Sequence, residues 1–140
     1  MMVWDTNVVS ELMRPEPRQQ VVVWADRQPV DEVFITAITV AELLYGIGRL
    51  PAGRRRNELS ELLDGMLTED FEHRVLAFDG VAAAHCADLV VERKRTGRPI
   101  SMADAQIAAI CRSHGATVAT RNVDDFADVG VDIVNPWTGP

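Results

Sequence analysis

Met2-Val3-Trp4-Asp5-Thr6-Asn7-Val8-Val9 opens with a short apolar run that gives way, at an acid, to apolar residues spaced for one face of a helix. The same handover recurs twice. Val33-Phe34-Ile35 reads as a buried strand, and Thr36 is placed to cap a helix that carries Glu42 among the apolar positions Ile38, Leu43, Leu44 and Ile47. Ser101-Met102-Ala103-Asp104 has the form of a capping box opening a helix through Ile107, Ala108, Ile110 and Cys111, which Gly115 terminates. A doubly wound α/β domain collects functional groups in the crevice beyond the carboxyl ends of its strands. Acids at such handovers can therefore meet although they are far apart in sequence.

Outward from these three points, strands and helices alternate. After the first helix, Arg14-Pro15-Glu16-Pro17 is a stop, and Val21 to Arg27 forms a second helical face closed by Pro29. Pro51-Ala52-Gly53 precedes a polar amphipathic stretch from Arg54 to Leu67. His73 to Phe78 reads as a third strand, and Asp79 is placed to cap a helix burying Val81, Ala84, Leu89 and Val90. Alanines 103, 105, 108 and 109 suit close packing of the helix that holds Asp104. Thr117-Val118-Ala119 and Val131 to Val134 look like two last strands, separated by a polar turn from Arg121 to Asp125. The alternation predicts an α/β fold, one domain over residues 1–140, with a mostly parallel sheet covered on both faces.

Composition excludes several function classes. With 14 basic against 21 acidic residues the net charge is −7, so any contact with nucleic acid must be local and not a matter of bulk electrostatics. The two cysteines, Cys86 and Cys111, form no CxxC pair and suggest neither a disulfide framework nor a thiolate metal site. No apolar stretch approaches the roughly 20 residues that span a bilayer. A cytoplasmic protein with no membrane contact is the expectation.

Taken singly, Asp5, Glu42 and Asp104 are more readily explained as helix caps or partners of the helix macrodipole than as catalytic groups. Glu42 lies three residues after Thr39, and Asp104 three after Ser101, the spacing of a capping box. Taken together, three acids at strand-to-helix handovers make a site for a hard divalent cation. Mg²⁺ and Mn²⁺ take carboxylate, carbonyl and water oxygens. His73, His85 and His114 have no zinc-ligand spacing, there is no GxSxG elbow, and Gly46-Ile47-Gly48 falls inside a helical pattern. Metal-assisted hydrolysis is the leading reaction class. Two arginine clusters, Arg49 with Arg54 to Arg56, and Arg93-Lys94-Arg95 with Arg98, are either phosphate contacts near the metal or solvated helix faces.

The motifs Val3-Trp4-Asp5-Thr6-Asn7, Thr36 to Leu43, Ser101-Met102-Ala103-Asp104-Ala105, and Thr120-Arg121-Asn122 through Asp125-Phe126, in this order, resemble PIN-domain proteins. The closer resemblance is to the VapC/FitB-like toxins of toxin–antitoxin modules, down to the terminal Asn135-Pro136-Trp137. It implies a three-layer α/β/α PIN-like domain with about five strands and a Mg²⁺- or Mn²⁺-dependent endoribonuclease. It also implies Asp5, Glu42 and Asp104 as metal-binding and catalytic acids. Asp5 and Asp104 would hold the ion, and Glu42 would bind it through water or orient the attacking water. Thr6, Asn7, Thr120 and Asn122 are candidates for hydrogen bonds that aim the carboxylates, and with Arg121 they are the expected substrate-side residues.

The sequence departs from the family at the fourth acidic position. Asn122 follows the Thr-Arg dipeptide where relatives carry Asp, which leaves Asp124 or Asp125 to compensate. The resemblance further implies a cognate antitoxin, operator DNA bound by the complex, and a homodimer through apolar positions such as Val21, Val22, Leu59, Leu62 and Leu63, which serve equally as core. Two other readings stay open: a catalytically weak PIN-like binding module acting through its antitoxin complex, and an aspartyl phosphotransferase. The latter lacks the second Asp expected two residues after Asp5.

Overall fold

The computed structural model describes residues 1–139; Pro140, the end of the expected 1–140 domain, lies outside the described residues. Five parallel strands form one sheet in the order β3-β2-β1-β4-β5. They are β1 (Met2–Trp4), β2 (Val33–Thr36), β3 (Val75–Leu76), β4 (Thr117–Ala119) and β5 (Ile133–Val134). Six helices connect them: α1 (Thr6–Leu12), α2 (Gln19–Asp26), α3 (Ala37–Gly48), α4 (Arg54–Gly65), α5 (Gly80–Arg95) and α6 (Met102–His114).

Alternation along the strands divides the core into two layers. Val3 and Val118 pack with α5 and α6 through Cys86, Leu89, Ala105, Ile107, Ala108 and Ala109, joined by Phe126. Trp4, Ile35 and Ala119 point the other way and pack with Val8, Val9, Trp24, Leu43, Ile47, Leu63 and Phe71 from the first four helices and the segment after α4. Trp4 anchors that second layer, with its ring 5.8 Å from Trp24 and edge-on to Phe71 at 6.1 Å. The arrangement is the expected three-layer α/β/α sandwich. The buried alanines of α6 let α5 lie close against it.

Local signals place most helix ends. Thr36 accepts from the Thr39 N–H at 3.1 Å, Asp79 from Ala82 at 3.0 Å and Ser101 from Asp104 at 3.2 Å. Gly115, with φ 62°, closes α6 in the left-handed conformation. Several expectations need correction. The strand expected over His73 to Phe78 is regular only at Val75–Leu76, and His73 just before it has a positive φ of 63°. The polar stretch ending at Leu67 leaves α-geometry after Gly65 for a π-helical turn, Met66–Asp70. The polar turn expected around Arg121 to Asp125 is present, and its regular part is a 3-10 turn, Val123–Phe126.

Helix periodicity misplaced single residues on two helices. The buried stripe of α5 runs through Ala82, Cys86, Leu89 and Arg93, so Val81 and Ala84 face outward. On α3 the stripe is Thr39, Leu43 and Ile47, which leaves Leu44 exposed. Of the apolar positions assigned to a homodimer face, Val21 and Leu63 are buried within the chain, and only Leu62 is exposed. Among the described residues, no helix is long and apolar enough to cross a membrane.

Phe126 is fully buried at the end of the 3-10 turn and packs in the α5–α6 layer. Phe126→Ala should cost about 3–5 kcal/mol, read by urea denaturation; a loss below about 1 kcal/mol would show that the turn does not depend on this anchor.

Candidate active site

Asp5 directly follows the central strand. Its N–H continues the ladder to Ala119 O at 2.9 Å, so its backbone is held as firmly as β1 itself. Oδ1 caps α1 by accepting from the Thr6 N–H at 2.8 Å. Oδ2 accepts from Thr120 Oγ1 at 2.8 Å and from Asn7 Nδ2 at 3.4 Å. Thr120 Oγ1 in turn accepts from Asn7 Nδ2 and from the Asn122 N–H. The side chain of Asn7 closes the circuit by accepting from the Arg121 N–H at 3.3 Å. Asp5 is thus at once a helix cap and the buried centre of a polar network.

Glu42 enters from α3. Its capping reading fails because Thr36, not Thr39, begins that helix, which leaves Glu42 in the second turn. Thr39 is buried instead, and Thr6 Oγ1 lies 2.9 Å from Thr39 Oγ1 and donates to Glu42 Oε1 at 2.7 Å. Asp104 stands in the first turn of α6. Its N–H is capped by Ser101, while its carboxylate makes no return bond among the described residues, so half of the capping box is used.

The three acids sense one another. Burial raises the Asp5 carboxyl to about 6 against the hydrogen bonds from Thr120 and Thr6, and the charges of Asp104 and Glu42 add to the rise. Burial also raises Asp104, opposed by the Ser101 hydrogen bond, with Asp125 and Glu42 raising it further and Arg93 lowering it. Among the described residues, none of the three acids has an ion-pair partner. Nor do any three acid, histidine or cysteine side chains close into a compact cation cage. The site is a set of coupled but open carboxylates.

The substrate-side candidates divide. Thr6, Asn7 and Thr120 bond the acids through side chains, as expected. Asn122 contributes its backbone N–H, and its neutral side chain brings no charge. The acid that acts on Asp104 from the 3-10 turn is Asp125, the second of the two candidates for the fourth position. Arg121 is exposed, with its guanidinium 5.3 Å above the Trp137 ring. The terminal Asn135-Pro136-Trp137 thereby gains a role that spacing did not suggest.

Neither arginine cluster is a simple phosphate rail. Arg93 is buried and donates to three carbonyls, and Arg98 pairs with Asp128 at 2.7 Å. From the first cluster, Arg49 covers the Tyr45 ring, and Arg55 lines a groove of about 310 Å³ that begins at Thr6 and Glu42. The groove runs over Met13, Leu43, Ile47, Leu50 and Leu59, with Arg14 also at its wall. Cys111, raised to about 12 by burial and then by the charge of Asp5, stays a protonated core thiol.

The PIN domain model matches residues 2–132, nearly the whole chain. The chain belongs to the PIN-domain family. It is 44% identical to the VapC ribonuclease Y4jK of Sinorhizobium fredii over 98% of both chains. It is 41% identical to the toxin FitB of Neisseria gonorrhoeae, over 98% of this chain and 99% of that one. Among solved structures, FitAB bound to a DNA fragment superposes with a TM-score of 0.94 at 38% identity, covering 100% of this chain and 98% of that one. These matches place this PIN domain with the VapC/FitB toxins.

Folding lifts the Asp5 carboxyl from 3.8 to about 6, so the folded chain holds that proton more tightly than the unfolded one. The corresponding stability is full below the unfolded value and is lost as pH rises through about 6. Metal-free Asp5→Asn, which stays uncharged, should therefore exceed the wild type in stability at pH 7.5 by on the order of 2–3 kcal/mol. The gap should close toward pH 4. Urea titrations of both proteins across this range test it, and a gap independent of pH would contradict the burial argument.

Proposed function

We propose that this PIN domain is a metal-dependent endoribonuclease, hydrolysing RNA phosphodiester bonds as the toxin of a toxin–antitoxin pair. The observation that carries the reading is Asp5, 4% exposed and raised by burial, coupled to Asp104 and Glu42 with no cationic side chain paired to any of them among the described residues. A buried carboxylate held ionised among other acids is stabilised by a cation. The donor set fits a hard one: carboxylate oxygens only, with Cys111 held as a thiol. An open arrangement suits Mg²⁺ or Mn²⁺, since Mg²⁺ commonly takes one or two carboxylates and completes its octahedron with water and substrate phosphate.

On this reading Asp5 and Asp104 hold the ion directly. When bound, it supplies charge to a phosphoryl oxygen and lowers the pKa of the attacking water. The chain does the rest by orientation. Thr120 and Asn7 fix one oxygen of Asp5, the Thr6 N–H fixes the other, and the Thr6 hydroxyl turns Glu42 toward the site, where it aligns water for in-line attack. Such attack leaves a 5′-phosphate and a 3′-hydroxyl. Arg121, next in sequence to the Thr120 that bonds Asp5 and steadied over Trp137, meets the RNA backbone.

The relatives' names and the FitAB–DNA structure support the toxin role and the partners. A cognate antitoxin would occupy the groove that runs from Glu42 along Leu43, Ile47 and Leu59, and the complex would bind operator DNA. Arg14 and Arg55 at its wall favour acidic side chains on that partner. The open carboxylates and neutral Asn122 favour one competing reading, a binding module that holds RNA without cutting it.

Purified protein should cut total RNA into discrete fragments in Mg²⁺ or Mn²⁺ and not in EDTA. Asp5→Asn and Asp104→Asn should abolish cleavage with the fold intact, and Thr120→Val should slow it about 10–100-fold. RNA bound but uncut in every metal would select the binding module; full activity in either acid variant would remove the assignment of that residue.

A further inference from the structure

Arg93 is a buried charge that the reading above leaves without a task. It lies on the inner stripe of α5 beside Leu89, 5% exposed. No carboxylate is ion-paired with it among the described residues. Its Nε donates to Arg98 O at 2.6 Å, and its Nη1 donates to Asp125 O at 3.1 Å and Ala127 O at 3.2 Å. Removing a guanidinium from water costs several kcal/mol, and carbonyl dipoles alone offset this less well than a carboxylate does. The charge of Arg93 also reaches the acid site, where it acts on Asp104 in the first turn of α6.

The geometry gives the clamp a direction. Two of its three carbonyls belong to the 3-10 turn Val123–Phe126 and the residue after it, and the third fixes the loop beyond α5. At its two ends the turn is closed by single-turn bonds, Asp125 N–H to Asn122 O at 3.1 Å and Ala127 N–H to Asp124 O at 3.4 Å. Short 3-10 segments of this kind depend on outside anchors. Phe126 supplies an apolar one and Arg93 the polar one.

We infer that Arg93 is a positioning residue of the acid site: it clamps the Val123–Phe126 turn against α6 so that Asp125 stays beside Asp104. Arg93 touches no substrate and acts only through Asp125. The consequence for metal rests on the cation-site reading above; the clamp itself does not.

Two readouts separate these on the full-length chain, with Arg93→Lys, Arg93→Gln and Asp125→Asn. Lys keeps the charge and loses the fork, whereas Gln keeps donors and loses the charge, so either one that folds decides the matter. Amide hydrogen exchange at Asp125 and Ala127, measured without metal, should speed up in the Arg93 variants. Mn²⁺ affinity, read by the EPR signal of free Mn²⁺, should weaken about tenfold in Arg93→Lys and in Asp125→Asn. The double variant should be no weaker than Asp125→Asn alone. Unchanged exchange in a folded Arg93 variant overturns the clamp. Faster exchange with wild-type Mn²⁺ affinity, or losses that multiply in the double variant, overturns its reach to the site. A wild type that binds no Mn²⁺, with exchange still accelerated by the substitution, removes the cation-site reading and leaves the clamp standing.

Discussion

A carboxylate is held at the carboxyl end of the central strand, and the surrounding structure is arranged around keeping it there. Asp5 continues the β1–β4 ladder by its backbone, caps α1 with one oxygen and accepts from Thr120 and Asn7 with the other. Burial works against it, raising its carboxyl to about 6. Hydrogen bonds from Thr120 and Thr6 reduce that penalty without removing it. Packing alone would be better served by an apolar residue or a neutral cap, and on the proposed reading the residual cost is what a cation offsets.

The other acids converge because helices start where parallel strands end. Asp104 lies in the first turn of α6 and Glu42 in the second turn of α3, so amino-terminal helix ends face the crevice and offset part of the acids' mutual repulsion. Each acid reaches the site by a different support. Asp5 is rigid through the sheet, Glu42 is turned by the Thr6 hydroxyl, and Asp125 is carried by a 3-10 turn that Arg93 and Phe126 hold in place. Asp5 and Glu42 are thus set in orientation by hydrogen bonds, while the Asp104 carboxylate accepts none among the described residues.

A net charge of −7 and an RNA substrate are compatible because the positive groups near the site are few and placed singly. Several arginines serve the fold: Arg93 ties carbonyls, Arg98 pairs with Asp128, Arg14 pairs with Glu11, and Arg49 covers Tyr45. Arg121 lies over Trp137, and Arg55 lines the groove beside Glu42. An acidic surface with isolated arginines gives little non-specific attraction for nucleic acid, which suits recognition by local shape.

The sequence by itself determined the strand-to-helix handovers and most of the helix ends. Thr36, Asp79, Ser101 and Gly115 act on amides or torsions within a few residues of themselves, and alternation within β1, β2 and β4 needs no partner to be read. The motif order also brought forward Asp5, Glu42 and Asp104 as candidates, and Thr6, Asn7 and Thr120, named beside them, bond Asp5 and Glu42 in the structure. Tertiary structure alone decided the strand order, the choice of Asp125 over Asp124 beside neutral Asn122, and the burial of Arg93. It also decided which apolar residues of α3 and α5 face outward, leaving Leu44 and Val81 exposed where periodicity had placed them inside. The reason is range. Caps and periodicity act over a few residues, whereas two of the three carbonyls that Arg93 binds, those of Asp125 and Ala127, lie more than thirty residues away, and nothing local shows a guanidinium that they will meet it.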